Sequence, residues 1–144
     1  MGISKTNANV VWRNGVKGDG LLKTEVIDTK IAIPVSSGGS GNGASPMEFL
    51  LSSVTACYTG VLVSMIDSRE LPVEEVTVNS EVSVNDKEFK IIHYPRLVLS
   101  NSVTEKQLEL ANRLFVSADK GCAVGNLLKK ADVKIEVQGE ISTK

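Results

Sequence analysis

The 144-residue sequence predicts an α+β fold: a single domain over residues 1–144 in which an antiparallel sheet packs on one long, buried central helix. The length is ordinary for one domain with its own core. Segments with the two-residue alternation of strands and segments with helical patterning fall into separate runs. Residues 46–68 are apolar on nearly every helical face, which is typical of a helix buried on all sides.

The N-terminal part is predicted to contain two strands and a loop. Residues 7–13 and 21–33 have strand composition, and the turn between them carries an Asn-Gly and an Asp-Gly dipeptide. Residues 36–44 consist mostly of glycine and serine, so we expect a flexible surface loop.

The long helix has a clear start. Ser45 is a good N-cap, Pro46 suits the first helical position, and Glu48 completes a capping box with Ser45. We expect the helix to run to about Ser68, which places Cys57 inside a core or an interface.

The C-terminal part is predicted to alternate strands and helices. Residues 73–86 and 88–101 form a hairpin, in which Pro95 indicates an edge strand or a bulge. A second capping box, Thr104 with Gln107, opens a helix to about residue 118 that Gly121 ends. A short helix over 122–131 and a strand over 132–142 complete the chain.

Composition narrows the function classes. A net charge of −1 and a pI near 5.9 argue against a nucleic-acid-binding protein. The N-terminus lacks the apolar region of a secretory signal, and no uninterrupted apolar run reaches about 18 residues, so we expect a cytoplasmic protein without a membrane span. Two cysteines and one histidine are too few for a convincing zinc site.

The glycine-rich loop does not predict phosphate binding. Residues 38–45 have the glycine spacing of a phosphate-binding loop, but Ala44 stands where that loop needs its lysine. A dinucleotide-binding fingerprint also fails, because no βαβ unit surrounds the glycines.

The two cysteines allow two interpretations. Both can be small buried hydrophobic residues, or they can form a working pair in which one attacks a substrate and the other closes a disulfide. Cys122 has Lys120 and a helix start nearby, whereas apolar neighbours should raise the pKa of Cys57. The working pair therefore requires a cation delivered to Cys57 from elsewhere in the fold.

Three segments resemble a known family. The runs "GASPMEFLLSSVTACYTG" and "ADKGCAVGNLL", whose cysteines lie 65 positions apart, and the start "VVWRNGVKGDG" resemble the OsmC/Ohr family of thiol-dependent hydroperoxide reductases over nearly the whole chain. The resemblance implies an OsmC-like fold in an intertwined homodimer, with two sites at the subunit interface.

The resemblance also implies a mechanism and its residues. Cys57 would attack an organic hydroperoxide and become a sulfenic acid, and Cys122 would condense with it to a disulfide. An external thiol reductant would reopen the disulfide, and neither a metal nor a cofactor is needed. Arg13 would activate Cys57, although it also fits a solvated turn residue.

The sequence departs from the family pattern at two places, which indicates a divergent branch. Met47 stands where the catalytic acidic residue is expected and Glu48 follows it, so Glu48 is either catalytic or only a helix cap. Ala123 and its successors replace the Pro-x-Ser that often follows the second cysteine. His93 is expected to be a strand residue and not a base.

The functional prediction is a cysteine-based peroxidase for organic hydroperoxides, in the context of stress protection. The alternative is a non-enzymatic OsmC-like dimer that binds a hydrophobic small molecule and whose cysteines are structural. A stress-related scaffold is a third possibility.

Overall fold

The computed structural model describes residues 4–144 and has the predicted α+β composition. The chain divides into two compact units, one that ends at Leu50 and one that runs from Leu51 to Lys144. The single domain over 1–144 stays a prediction.

The first unit contains a three-stranded antiparallel sheet of β1 (Asn9–Arg13), β2 (Asp19–Lys23) and β3 (Asp28–Ile31), in that order. The prediction of one strand over 21–33 is wrong, because a turn separates β2 from β3. The Thr24 hydroxyl accepts hydrogen bonds from the N–H groups of Val26 and Ile27 and so closes that turn. Threonine turns of this kind leave no glycine or proline signal in the sequence.

The glycine-rich loop is more tightly held than a flexible surface loop would be. It begins in a 3-10 turn at Val35–Ser37. The N–H of Gly39 then donates to Pro34 O, and that of Ala44 to Lys30 O. Gly39 is buried, and a Cβ there would collide with the Ile33 carbonyl. The glycine is therefore required by close packing of the backbone and not by mobility.

Helix α1 (Pro46–Ser68) begins as predicted. The N–H of Ser45 donates to Glu48 Oε2 at 2.9 Å, and the N–H of Glu48 donates to Ser45 Oγ at 3.2 Å, so the capping box is confirmed.

The expectation that α1 is buried on all sides is wrong for the single chain. Its buried residues repeat every four positions and form one stripe: Val54, Tyr58, Leu62 and Ile66. Val63, on another face, is 39% exposed. One chain covers one face of this apolar helix and leaves the others partly open to solvent.

By length and composition alone, α1 is long and apolar enough to cross a membrane. Core helices of soluble proteins meet the same criterion. In this protein the helix contributes buried side chains to the second unit, where Tyr58 donates a hydrogen bond to Phe115 O at 2.9 Å.

The second unit contains a four-stranded mixed sheet. β4 (Val73–Val84) and β5 (Phe89–Leu99) form the predicted antiparallel hairpin, whereas β6 (Val133–Val137) and β7 (Glu140–Thr143) both lie parallel to β5. The expectation of an antiparallel sheet is therefore wrong at this edge. The predicted strand over 132–142 is two strands, separated at residues 138–139.

Pro95 lies in the central strand, so the predicted edge or bulge is wrong. It pairs with Val78 of β4 without a register shift. On the other side of β5, His93 is the last residue paired with β6, and Arg96 is the first paired with β7. Pro95 falls in the gap between these two partners, where a missing N–H costs no ladder hydrogen bond.

Helix α2 (Glu105–Lys120) has the predicted capping box at Thr104 and ends at Gly121 as predicted. Helix α3 (Ala123–Lys130) follows at once, with Cys122 as its N-cap residue. Only two residues therefore connect α2 to α3.

His93 lies in β5, as predicted, and is 1% exposed. Its ring stacks on Tyr58 with centroids 4.7 Å apart, and its Nδ1 shares a hydrogen bond of 2.6 Å with the Ser80 hydroxyl. Burial lowers the pKa of His93; the nearby Asp119 carboxylate opposes this effect and Lys129 reinforces it. The folded protein therefore holds a neutral imidazole in its core.

Acidification should destabilise the fold through His93. The unfolded chain binds a proton at this residue below a pH of about 6.5, whereas the folded chain resists it. The free energy of unfolding should therefore fall as the pH falls through and below that value. Urea unfolding of the protein and of His93→Gln at several pH values measures the effect. We expect a smaller decline in the variant; equal declines would contradict a neutral buried His93.

Candidate functional site

The two cysteines lie together at the start of α3. Cys57 is on α1 and half-buried, whereas Cys122 is 1% exposed and precedes the first residue of α3. Both are free thiols. The N–H of Gly125 donates to Cys122 Sγ at 3.3 Å, and Cys122 Sγ lies 3.9 Å from Val54 O on α1. The second cysteine is thus anchored to the helix that carries the first.

The amino end of α3 stabilises Cys57 as a thiolate. A backbone hydrogen bond from Val124 is the largest cause of a lowered Cys57 pKa; partial burial opposes it, and the Cys122 thiol and the Ala123 N–H add to it. Unpaired N–H groups at a helix start favour a negative charge. Burial raises the pKa of Cys57, as expected, but these donors outweigh it, so the pKa is lowered overall.

Cys122 has the opposite tendency. Burial is the main cause that raises its pKa to about 11; the Gly125 N–H opposes this, while Cys57 and the Asp119 carboxylate increase it further. Lys120, the neighbouring cation suggested by the sequence, is exposed, and burial decides the direction of the Cys122 shift. At neutral pH Cys122 is therefore a neutral thiol that can donate its hydrogen to the Cys57 sulfur.

This difference in acidity makes Cys57 the better nucleophile of the two cysteines. Only the thiolate form of cysteine is a good nucleophile, and accessibility also favours the half-buried Cys57 over the buried Cys122. The arrangement is suited to a reaction in which Cys57 attacks first and Cys122 acts second.

Arg13, the predicted source of a cation, is the exposed last residue of β1 and pairs with Asp19 of β2. It belongs to the unit that ends at Leu50, whereas Cys57 belongs to the unit that begins at Leu51. Within the latter unit, backbone and thiol donors lower the Cys57 pKa without a cation. The activating role of Arg13 stays a prediction.

Glu48 has its carboxylate on the backbone N–H of Ser45, so its interpretation as a capping residue is confirmed. Its catalytic role stays a prediction.

Two kinds of group at this site were not predicted from the sequence. The N–H groups of residues 123–125 were not identified, although the prediction of a helix start at Cys122 contained the signal. Asp119, whose Oδ2 accepts from Lys129 Nζ at 2.8 Å, carried no motif at all. Within residues 4–144, no group of three His, Cys, Asp or Glu side chains could hold a metal ion.

The first unit contains an apolar cleft of about 530 Å³. Trp12, Leu22, Ile33, Pro46 and Phe49 are among the side chains that line it. A cleft of this size and composition suits part of a small hydrophobic molecule.

The acidity order of the two thiols can be measured directly. The ultraviolet absorbance of the thiolate, titrated in Cys122→Ser, should give a midpoint for Cys57 below the ordinary thiol value of about 8.5. The same titration in Cys57→Ser should give a midpoint for Cys122 above that value, because its burial remains. The reverse order would contradict the arrangement described above.

Variants of the capping box can separate the two interpretations of Glu48. Ser45→Ala should lower the free energy of unfolding by about 1 kcal/mol, because it removes an N-cap acceptor. Glu48→Gln keeps an acceptor for the Ser45 N–H, so its unfolding should change much less. A slower reaction of Cys57 with peroxide in Glu48→Gln, without lost stability, would contradict a role limited to capping.

Comparison with known proteins agrees with the fold and with the family that the sequence resembles. A family model described as OsmC-like protein matches residues 39–138. The chain is 30% identical over 138 residues to the uncharacterized protein YmaD of Bacillus subtilis (strain 168), covering 92% of this chain and 90% of that one.

Two solved structures share the fold. An OsmC-like protein of unknown function from Vibrio cholerae has a TM-score of 0.74 at 15% identity, covering 95% of this chain and 99% of that one. An organic hydroperoxide resistance protein from Elizabethkingia anophelis, solved with thiocyanate bound, has a TM-score of 0.71 at 21% identity, covering 99% of each chain. The chain belongs to the OsmC-like protein family.

Proposed function

We propose that this protein reduces organic hydroperoxides, with Cys57 as the attacking thiolate and Cys122 as the resolving thiol. The observation that supports the proposal most is the opposite shift in pKa of two neighbouring cysteines at the start of α3. The family and a structural neighbour named as an organic hydroperoxide resistance protein support a redox role.

In the first step, the Cys57 thiolate attacks the terminal oxygen of the hydroperoxide. The O–O bond breaks, and the alkoxide leaves and takes up a proton to become an alcohol. Cys57 is oxidised to a sulfenic acid while the hydroperoxide is reduced. The backbone donors of α3 keep a fraction of Cys57 ionised for this attack.

In the second step, Cys122 loses its proton and its sulfur attacks the sulfenic sulfur. The hydroxyl of the sulfenic acid leaves with a proton as water, and a disulfide forms. In the reduced protein, the charge and hydrogen bonding of Cys57 help to raise the Cys122 pKa. Oxidation of Cys57 removes that charge, so Cys122 becomes easier to ionise when its thiolate is needed.

A dithiol then returns the enzyme to its starting state by thiol–disulfide exchange, and it becomes a disulfide itself. The proposal places the protein in the cytoplasm, where such reductants are available. Arg13 keeps the role that the family resemblance implies, a guanidinium that pairs with the Cys57 thiolate, in addition to the backbone donors.

We also propose that the protein works as a homodimer. The apolar faces of α1 that one chain leaves partly exposed, including Val63, would be buried by a second copy. Burying such a surface is the usual source of stability for obligate dimers.

Turnover of an alkyl hydroperoxide with a dithiol tests the reaction. We expect no turnover in Cys57→Ser, because the nucleophile is missing. Cys122→Ser should consume one equivalent of hydroperoxide per chain and stop, and a sulfenic acid should then be trapped at Cys57 by a carbon nucleophile such as dimedone. The two serine variants are matched controls for each other. Turnover retained in Cys57→Ser, or none in the unmodified protein, would contradict the proposal.

The apolar cleft of the first unit favours a second candidate, a binding protein for a hydrophobic molecule. If neither cysteine reacts with stoichiometric peroxide and the protein retains an apolar fluorescent probe that Phe49→Asp does not bind, this second function replaces the first.

A further inference from the structure

The amino end of α3 can act on Cys57 only if the whole of α3 is held in place. The helix has eight residues, too few to be stable alone. It follows α2 after only two residues, so its direction depends on what fixes it to neighbouring elements. The contacts of α3 with α2 therefore bear on the thiol site.

The joint between α2 and α3 lies close against α1. A Cβ at Gly121 would come within 3.2 Å of Val61 Cγ1 and 3.8 Å of Met65 Cε, both on α1. At the next turn of the chain, a Cβ at Gly125 would lie 3.3 Å from Cys122 Sγ. Small changes in the direction of α3 would therefore displace its amino end relative to α1, the helix that carries Cys57.

One ion pair joins the far end of α3 to α2. Lys129 Nζ donates to Asp119 Oδ2 at 2.8 Å, and the side chains are 34% and 15% exposed. Because it is partly buried, this pair is screened by solvent less than an ordinary surface pair. It closes a loop of the chain around the α2–α3 joint and so fixes the angle between the two helices.

The position of Asp119 is not explained by the local structure of α2. A carboxylate in the last turn of a helix is unfavourable beside the exposed carbonyl groups there. Its second oxygen, Oδ1, is buried and has no hydrogen-bond partner among the residues that the structure describes. Its negative charge also raises the pKa of Cys122 and of Tyr58. Such a costly group needs a compensating role.

We propose that Asp119 and Lys129 are positioning residues for the thiol site: their ion pair holds α3 so that its amino end stays against α1, where the Gly125 N–H donates to Cys122 Sγ and Cys122 Sγ lies 3.9 Å from Val54 O. The inference rests on the proposed function for its biological meaning, but its effect on Cys57 does not depend on a peroxide. A second tie, from Asn126 Nδ2 to Lys120 O at 2.9 Å, is exposed and accompanies the buried pair.

The test is the alkylation rate of Cys57 by iodoacetamide at neutral pH, followed by mass spectrometry of the cysteine-containing peptides. Lys129→Met should slow the reaction of Cys57 about tenfold, because fewer molecules carry the thiolate when the backbone donors move away. Lys129→Arg keeps the ion pair and should restore the rate. Lys130→Met, the matched control on the adjacent residue, should leave it unchanged.

Asp119→Ala separates positioning from simple charge. Removal of a negative charge would by itself make a nearby thiol more acidic and faster to alkylate. Loss of the positioning contact would make Cys57 slower, so we expect a slower reaction in Asp119→Ala. A faster or unchanged reaction of Cys57 in this variant or in Lys129→Met, with native circular dichroism, would overturn the inference.

The alkylation rate of Cys57 tests the inference independently of hydroperoxide turnover. If alkylation is slowed in Lys129→Met and the unmodified protein has no peroxidase activity, the inference stands and the proposed function is removed. If alkylation is normal in Lys129→Met and the unmodified protein is an active peroxidase, the proposed function stands and the inference is overturned. Urea unfolding of each variant shows whether it is folded under the conditions of the alkylation, and Asp119→Ala keeps the test decisive if Lys129→Met does not fold.

Discussion

The hydrogen bonds from the first N–H groups of α3 to the Cys57 sulfur are the interaction on which the site depends. Cys57 lies within a long, mostly apolar helix, an environment that opposes a thiolate. The donors of Val124 and Ala123 reverse that tendency. The main chain can provide them only because α3 starts anew at Cys122, which leaves these groups unpaired.

The two cysteines differ in the number of backbone donors that they receive from this helix start and in their accessibility. Cys57 receives two backbone donors and stays partly accessible, whereas Cys122 is enclosed and receives one from Gly125. One helix start therefore gives two neighbouring thiols of different acidity, which is the difference that the proposed peroxidase reaction requires. The neighbouring core adds a constraint, because the Asp119 carboxylate raises the pKa of Cys122 and also that of Tyr58, on whose ring His93 stacks.

Much of the fold follows from local signals. Capping boxes at Ser45 and Thr104 gave the correct helix starts, because a cap is decided by residues three apart. The turn after Lys23 and the parallel pairing of the last strands depend on hydroxyl contacts and on distant partners, which local patterns do not contain. Cys122 as a helix start was predictable; that this start faces Cys57 was not, because it depends on how α1 and α3 pack. Because this packing was not predicted, the sequence led us to expect that ionisation of Cys57 needs a distant cation.

Nuclear magnetic resonance of the backbone amides tests the central claim most directly. In a titration from mildly acidic to alkaline pH, the amide protons of Ala123 and Val124 should shift downfield together as Cys57 ionises, and the transition should vanish in Cys57→Ser. If these two amides do not respond to the ionisation of Cys57, the helix start does not stabilise the thiolate and the account is wrong.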